Sequence, residues 1–177
     1  MHRTIKRLSI WALVVALILL IPVVGQWPWT LSDYVFAGIL LFGVGVAYEF
    51  ITRRATTTQY RIAVGLGVVT TLLLIWINGA VGIIGNEDNP ANLLYGAVLI
   101  VGFLGTIISQ LRPRGMSYTL FTAASVQLLV PVAAFLIWRP DFGPGVLQVF
   151  AINAVFAVLW LGSGLLFRQA AQQVATE

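Results

Sequence analysis

The chain has 177 residues, 59% of them hydrophobic and 9% charged, with a net charge of +4 and a mean hydropathy of +0.95. A soluble domain needs roughly a quarter of its residues charged to cover its surface, so a water-soluble fold is excluded: it would expose apolar patches that aggregate. The absence of cysteine excludes disulfides, thiolate nucleophiles and cysteine-held metals. The single histidine, His2, sits too near the terminus to ligate a haem or metal inside an apolar bundle.

A sequence pI of about 10.0 raises nucleic acid as a partner. The basic residues, however, sit in short clusters between long apolar runs, and no nucleic-acid partner is expected. The partner the composition implies is the lipid bilayer. Other membrane proteins or further copies of this chain are compatible with it.

Crossing ~30 Å of hydrocarbon takes about 20 apolar residues in a helix. Six such runs follow in order, at residues 8–25, 33–51, 61–85, 91–111, 115–138 and 145–167. The fold class is therefore all-α, an integral membrane bundle of six transmembrane helices in one domain. Residues 36–45 (FAGILLFGVG) and 94–105 (LYGAVLIVGFLG) resemble each other, and residues 156–164 more loosely. Three helical hairpins in series would account for this, as would the general likeness of glycine-rich apolar helices.

Lysine and arginine accumulate on the cytoplasmic side of membrane proteins. Arg3, Lys6 and Arg7 precede the first span, and Arg53, Arg54 and Arg61 separate the second from the third. Arg112 and Arg114 separate the fourth from the fifth, and Arg168 follows the sixth. With six spans these all share one side, while Arg139 shares the other with Asp33, Glu87, Asp88 and Asp141. Both chain ends are thus expected inside. Trp27, Trp29, Tyr34, Tyr95 and Trp138 then belong to the outer interface. Trp11, Tyr48, Tyr60 and Tyr118 belong to the inner one, and Trp160 lies deeper against another helix. Residues 1–25 also permit a cleavable signal peptide, but the apolar run is long and no Ala-x-Ala site follows. Ser32 or Asp33 is expected to cap the second helix, and Asn89 the fourth with Pro90 at its first position. Residues 141–145 form a turn before the sixth helix.

Small residues mark packing faces: Gly102, Gly105 and Ser109 on the fourth helix, and Thr71, Asn78 and Gly82 on the third. Polar side chains inside spans are the sharper candidates. Asn78, Gln127 and Asn153 define a candidate polar or ligand patch in the outer half. Pro131 lacks the N–H that would bond the Gln127 carbonyl, so a free acceptor and an amide share one turn. In hydrocarbon these groups need a partner: a neighbouring helix, a water or a ligand. Glu49 is the only acid within a span. With Arg53 four residues on, it is either an i,i+4 ion pair at the headgroup boundary or a proton or ion site. Glu87 and Asp88 occupy an oxygen-rich outer loop, residues 85–92, which supplies too few good ligands for calcium. Turn-making explains Asp88 and Asn89, and Glu87 is left able to meet Arg139.

Residues 80–92 (AVGIIGNEDNPAN), with Trp27-Pro28-Trp29, Asp33 and residues 112–116 (RPRGM), resemble a family of small, uncharacterised bacterial multi-pass inner-membrane proteins. The resemblance covers most of the chain and implies a bacterial inner-membrane location. It carries over no catalytic residue.

No nucleophile–base pair, metal-ligand motif or phosphate loop is present. Glu49 and the Glu87/Asp88 pair are expected at opposite membrane faces. An enzyme is therefore not expected, nor a metal or other cofactor. The reading is a non-catalytic accessory or scaffolding component. The alternative is a small solute, ion or lipid transporter or channel built on the polar patch.

Overall fold

The computed structural model describes residues 2–53, 55, 57–137 and 145–176. Arg54, Trp138, Arg139, Asp141 and the turn at 141–144 lie outside the described residues, and so do the expectations placed on them. The described residues are all-helical: α1 His2–Val24, α2 Leu31–Thr52, α3 Thr58–Ala80, a short 3-10 turn Pro90–Leu94 leading into α4 Tyr95–Ile108, α5 Pro113–Ile137 and α6 Val146–Thr176. Six helical stretches are long and apolar enough to cross a membrane. They match the six runs expected, with shifts at their ends: the first begins at His2 rather than 8, the third ends at Ala80 rather than 85 and the fourth at Ile108 rather than 111. The sixth continues as one helix through the polar tail to Thr176.

The chain divides into two compact units, residues 1–53 and 54–177. The first is a hairpin of α1 and α2. It closes where Trp11 donates its indole N–H to the Leu41 carbonyl at 3.0 Å. Gly45 makes room for that ring, since a Cβ there would stand 2.0 Å from the indole. The turn is built by Thr30, not by Ser32 or Asp33 as expected. Thr30 is the N-cap residue, and the Asp33 carboxylate reaches back to accept its backbone N–H and hydroxyl, both at 2.7 Å. This carboxylate half of a capping box satisfies a donor outside the helix, where Ser32 or Asp33 as the cap would leave it free. Trp27, Trp29 and Tyr34 stack edge-on around the turn, with centroids 5.8 and 5.2 Å apart. Apolar side chains face outward along the hairpin, Ile39 being 70% exposed.

In the second unit α6 is central. It packs against α3 on one side and α5 on the other, and α5 packs in turn on α4. The second expected hairpin therefore does not form as a helix pair, because α3 and α4 each find a later helix as chief partner. The crossing point is Gly162-Ser163-Gly164 on α6. Ser163 donates to the Ala63 carbonyl on α3 at 2.7 Å, and Gly164 lies against Phe121 and the Ser117 carbonyl on α5. Close backbone approach at small residues is the main source of helix association in a solvent as apolar as the side chains. Gly105 on α4 meets Thr119 on α5 in the same way, and the Ser109 hydroxyl lies 3.2 Å from the Met116 sulfur. Gly102, expected on that packing face, would meet nothing within 4 Å. At the start of α3, Tyr60 donates its hydroxyl to the Leu111 carbonyl at 2.7 Å and sits edge-on to Phe167 at 5.0 Å. Tyr60 is thus buried between chain segments at the start of α3. The Leu111 carbonyl explains this: Gln110 and Leu111 both adopt positive φ, which leaves that acceptor outside the helical ladder.

A Cβ at Gly164 would approach the Phe121 ring at 2.6 Å. Gly164→Val is therefore expected to destabilise the bundle by about 1–3 kcal/mol in detergent unfolding. Gly102→Ala should stay within about 1 kcal/mol, on the stabilising side. Equal costs at the two positions would contradict the packing described.

Candidate functional site

The polar side chains of α5 and α6 meet in the interior of the second unit. Gln127 and Asn153 are each 0% exposed. Gln127 Nε2 donates to Asn153 Oδ1 at 2.9 Å. Asn153 Nδ2 donates both to the Tyr95 hydroxyl on α4 and to the Val149 carbonyl one turn back on α6, each at 2.8 Å. Trp160 Nε1 points at Gln127 Oε1 at 3.4 Å, a long contact. Pro131 is buried one turn along α5, and the helix continues through it.

From α6, Asn153 reaches both α5, on which its helix packs, and the Tyr95 hydroxyl at the start of α4. Its oxygen faces α5, one amide hydrogen faces α4, and the other caps a carbonyl of its own helix. Every group in the junction is uncharged: two amides, a phenol and an indole. Two donors are left over, the Tyr95 hydroxyl proton and one Gln127 Nε2 hydrogen. The arrangement fixes the relative rotation of three helices and contains no carboxylate or imidazole to move a proton.

Asn78 does not join this junction. Its Nδ2 donates to the Leu74 carbonyl of its own helix at 3.0 Å, and its Oδ1 is buried without a hydrogen-bond partner. The expected patch of Asn78, Gln127, Pro131 and Asn153 is thus three residues plus one outlier. Tyr95 is the third arm of the junction and is 1% exposed. The Asn153 amide draws its hydroxyl inward, and the ring follows. Trp160 lies inside, as expected.

In the first unit Glu49 pairs with Arg7 on α1 at 3.5 Å, and the Thr4 hydroxyl donates to it at 3.3 Å. Its partner is not Arg53, which is exposed. The helix opposite offers a cation and a hydroxyl together, whereas Arg53 offers a cation alone at the end of its own helix. Glu49 is therefore a cross-hairpin tie.

The loop at residues 81–89 is organised by one side chain, Asn92. Its Oδ1 accepts the Ile83 and Ile84 backbone N–H groups at 3.1 and 2.9 Å. Its Nδ2 donates to the Ile84 and Asn86 carbonyls at 3.1 and 2.7 Å. Gly82 has φ +70° and a Cβ there would stand 2.3 Å from the Asn86 carbonyl, so glycine is required and α3 ends early. Asn89 caps the following turn through the Ala91 N–H at 3.0 Å, with Pro90 behind it, as expected. Ile83 and Ile84 are thereby buried, while Glu87 and Asp88 stand exposed at the tip. Among the described residues no group of three or more His, Cys, Asp or Glu side chains is placed to hold a metal.

Comparison with known proteins returned no match: no family model, no curated protein and no solved structure matches this chain. The site is therefore read from its own geometry.

Tyr95 had a signal in the sequence. It begins the α4 stripe Tyr95, Val98, Gly105 and Ser109, at helical spacing, which faces α5. Asn92 had none, because nothing distinguishes it from Asn86 or Asn89 before the chain is folded.

Asn92→Ala would leave two backbone donors and two carbonyls without their side-chain partner. The expected cost is about 2–3 kcal/mol of unfolding free energy, with faster hydrogen exchange at the Ile83 and Ile84 amides. Unchanged protection at those two amides would contradict the role given to Asn92.

Proposed function

We propose that this chain is a multi-pass integral membrane protein of the bacterial inner membrane, with both ends in the cytoplasm. Its role is that of a non-catalytic accessory or scaffolding component. Six helices of sufficient length and apolarity support insertion. So does the outward-facing apolar surface, with Ile39 70% and Ile108 80% exposed, a surface that lipid solvates and water does not. The distribution of arginine supports the orientation, and the loop at residues 85–92 supports the bacterial inner membrane by resemblance.

The observation that carries the functional reading is the closure of the polar junction. Gln127 and Asn153 bond to each other, to Tyr95 and to Trp160, and neither reaches the surface. A transport path needs polar groups that a solute can reach. Here they are consumed in holding α4, α5 and α6 together. The surface left for function is then the outside of the bundle, which meets lipid, another membrane protein or a second copy.

One observation favours the second reading, a small solute, ion or lipid transporter: the unpartnered Asn78 Oδ1 on α3. Reconstitution separates the two. On the scaffolding reading, liposomes carrying the purified chain show no ion or solute flux above empty ones, and mild-detergent purification retains a stoichiometric membrane partner or a second copy. A flux abolished by Asn78→Leu, in protein that remains folded, would contradict it. Reporter fusions at the Arg53 and Arg112 turns should report the cytoplasm, and fusions at Asp88 the opposite side.

A further inference from the structure

Among the described residues of the second unit, the end that carries Tyr60 holds basic side chains and no acidic one. Tyr60, Leu111 and Phe167 meet there, through a 2.7 Å hydrogen bond and an edge-on ring contact. Each is followed directly in sequence by an arginine: Arg61, Arg112 and Arg168. Three separate chain segments that meet at one junction thus each carry an arginine beside the contact, and Arg114 follows two residues after Arg112. All four are exposed, and none enters an ion pair among the described residues. The acids in the described part of this unit are Glu87 and Asp88. They lie beyond the other end of α3, about 30 Å away by helical rise.

Two further features add to the positive potential. α3 and α5 both begin at this end, and neither has an acidic residue in its first turn. Helix N-termini carry partial positive charge that acidic residues ordinarily neutralise. The turn before α5 also runs through Gln110 and Leu111 at φ 51° and 62°, the left-handed region that non-glycine residues rarely occupy. The Tyr60 bond to the Leu111 carbonyl holds the turn in that form, with Arg112 beside the junction. Tyr118, on the face of α5 one turn beyond Arg114, is 60% exposed, as an aromatic at headgroup depth would be.

We propose that Arg61, Arg112 and Arg168, gathered by the Tyr60–Leu111–Phe167 junction, form a binding site for the phosphate of an anionic lipid headgroup. Guanidinium groups bind phosphate oxygens in a planar, bidentate fashion, and basic pockets between helices at the membrane surface hold anionic headgroups. The proposal rests on the reading of this chain as a membrane protein, but not on which leaflet the arginines face.

The test is native mass spectrometry of the full chain released from nanodiscs of mixed phosphatidylglycerol and phosphatidylcholine. The wild type is expected to retain phosphatidylglycerol in preference to phosphatidylcholine. Arg61→Gln, Arg112→Gln and Arg168→Gln should each weaken retention about fivefold, on the order of a hundredfold together. Tyr60→Phe removes the hydroxyl without touching any charge, and should weaken retention severalfold if gathering the arginines is what makes the site. Because arginine also directs insertion, the triple Arg→Lys variant keeps the charge and should insert normally, yet lose part of the preference. Retention unchanged in the triple Gln variant would overturn the proposal. Retention unchanged in Tyr60→Phe would overturn it in favour of diffuse charge. Displacement of the lipid by excess inorganic phosphate would overturn the lipid source and assign the arginines to a soluble anion. A wild type that inserts but shows no preference overturns this proposal alone, whereas one that fails to enter either lipid overturns the membrane reading as well.

Discussion

The hydrogen bond from Gln127 to Asn153, at 2.9 Å with both side chains closed off from the surface, expresses the constraint on which this fold depends. A buried polar group closed off from water is costly unless it finds a partner, and Gln127 and Asn153 find theirs within the protein. Asn153 does so in three directions, and in doing so sets how α4, α5 and α6 are rotated about their axes. Hydroxyls follow the same logic on a smaller scale. Thr70, Thr71, Thr106, Thr119, Thr122 and Ser125 all return a bond to a carbonyl of the preceding turn. Ser163 instead crosses to α3, and Tyr60 crosses to the turn before α5. Those crossings, with the glycines around Ser163, define which helices are neighbours.

The consequence for function is a division of roles between inside and outside. Gln127, Asn153 and Tyr95 are bonded to one another in the interior, while Asn78 Oδ1 is buried without a partner. The loop at residues 81–89 has its backbone bound by Asn92 and its two isoleucines buried, so its shape is fixed by the protein alone. What remains free lies at the periphery: the apolar outer faces of the helices, the acidic tip at Glu87 and Asp88, and the arginines beside Tyr60.

Much of the architecture is legible in the sequence because the signal is repeated over some twenty residues per span. The Asn89–Pro90 cap is legible because its chemistry is local. The errors fall where the deciding contact is distant along the chain. Glu49 has a basic residue four positions away, but the helix opposite supplies Arg7 and Thr4 instead. Tyr60 is held inward by the Leu111 carbonyl in the turn before α5, which no local pattern reveals, whereas the contact of Tyr95 with Asn153 is marked only by its place on the α4 stripe. The early end of α3 follows from Gly82 and from Asn92, a residue beyond the span. Gly162-Ser163-Gly164 was visible only as part of a loose repeat, although small residues in a row on an apolar helix are a packing signal in their own right.

A double-mutant cycle on Gln127 and Asn153, read by reversible unfolding in detergent or bicelles, tests the central claim most directly. Gln127→Leu and Asn153→Leu alone should each destabilise the bundle, and the pair together should cost less than their sum by about 0.5–1.5 kcal/mol, the range for hydrogen bonds between helices in an apolar solvent. Strict additivity would mean that the two amides do not act as a unit, and would contradict the account of this bundle as organised by its internal polar contacts.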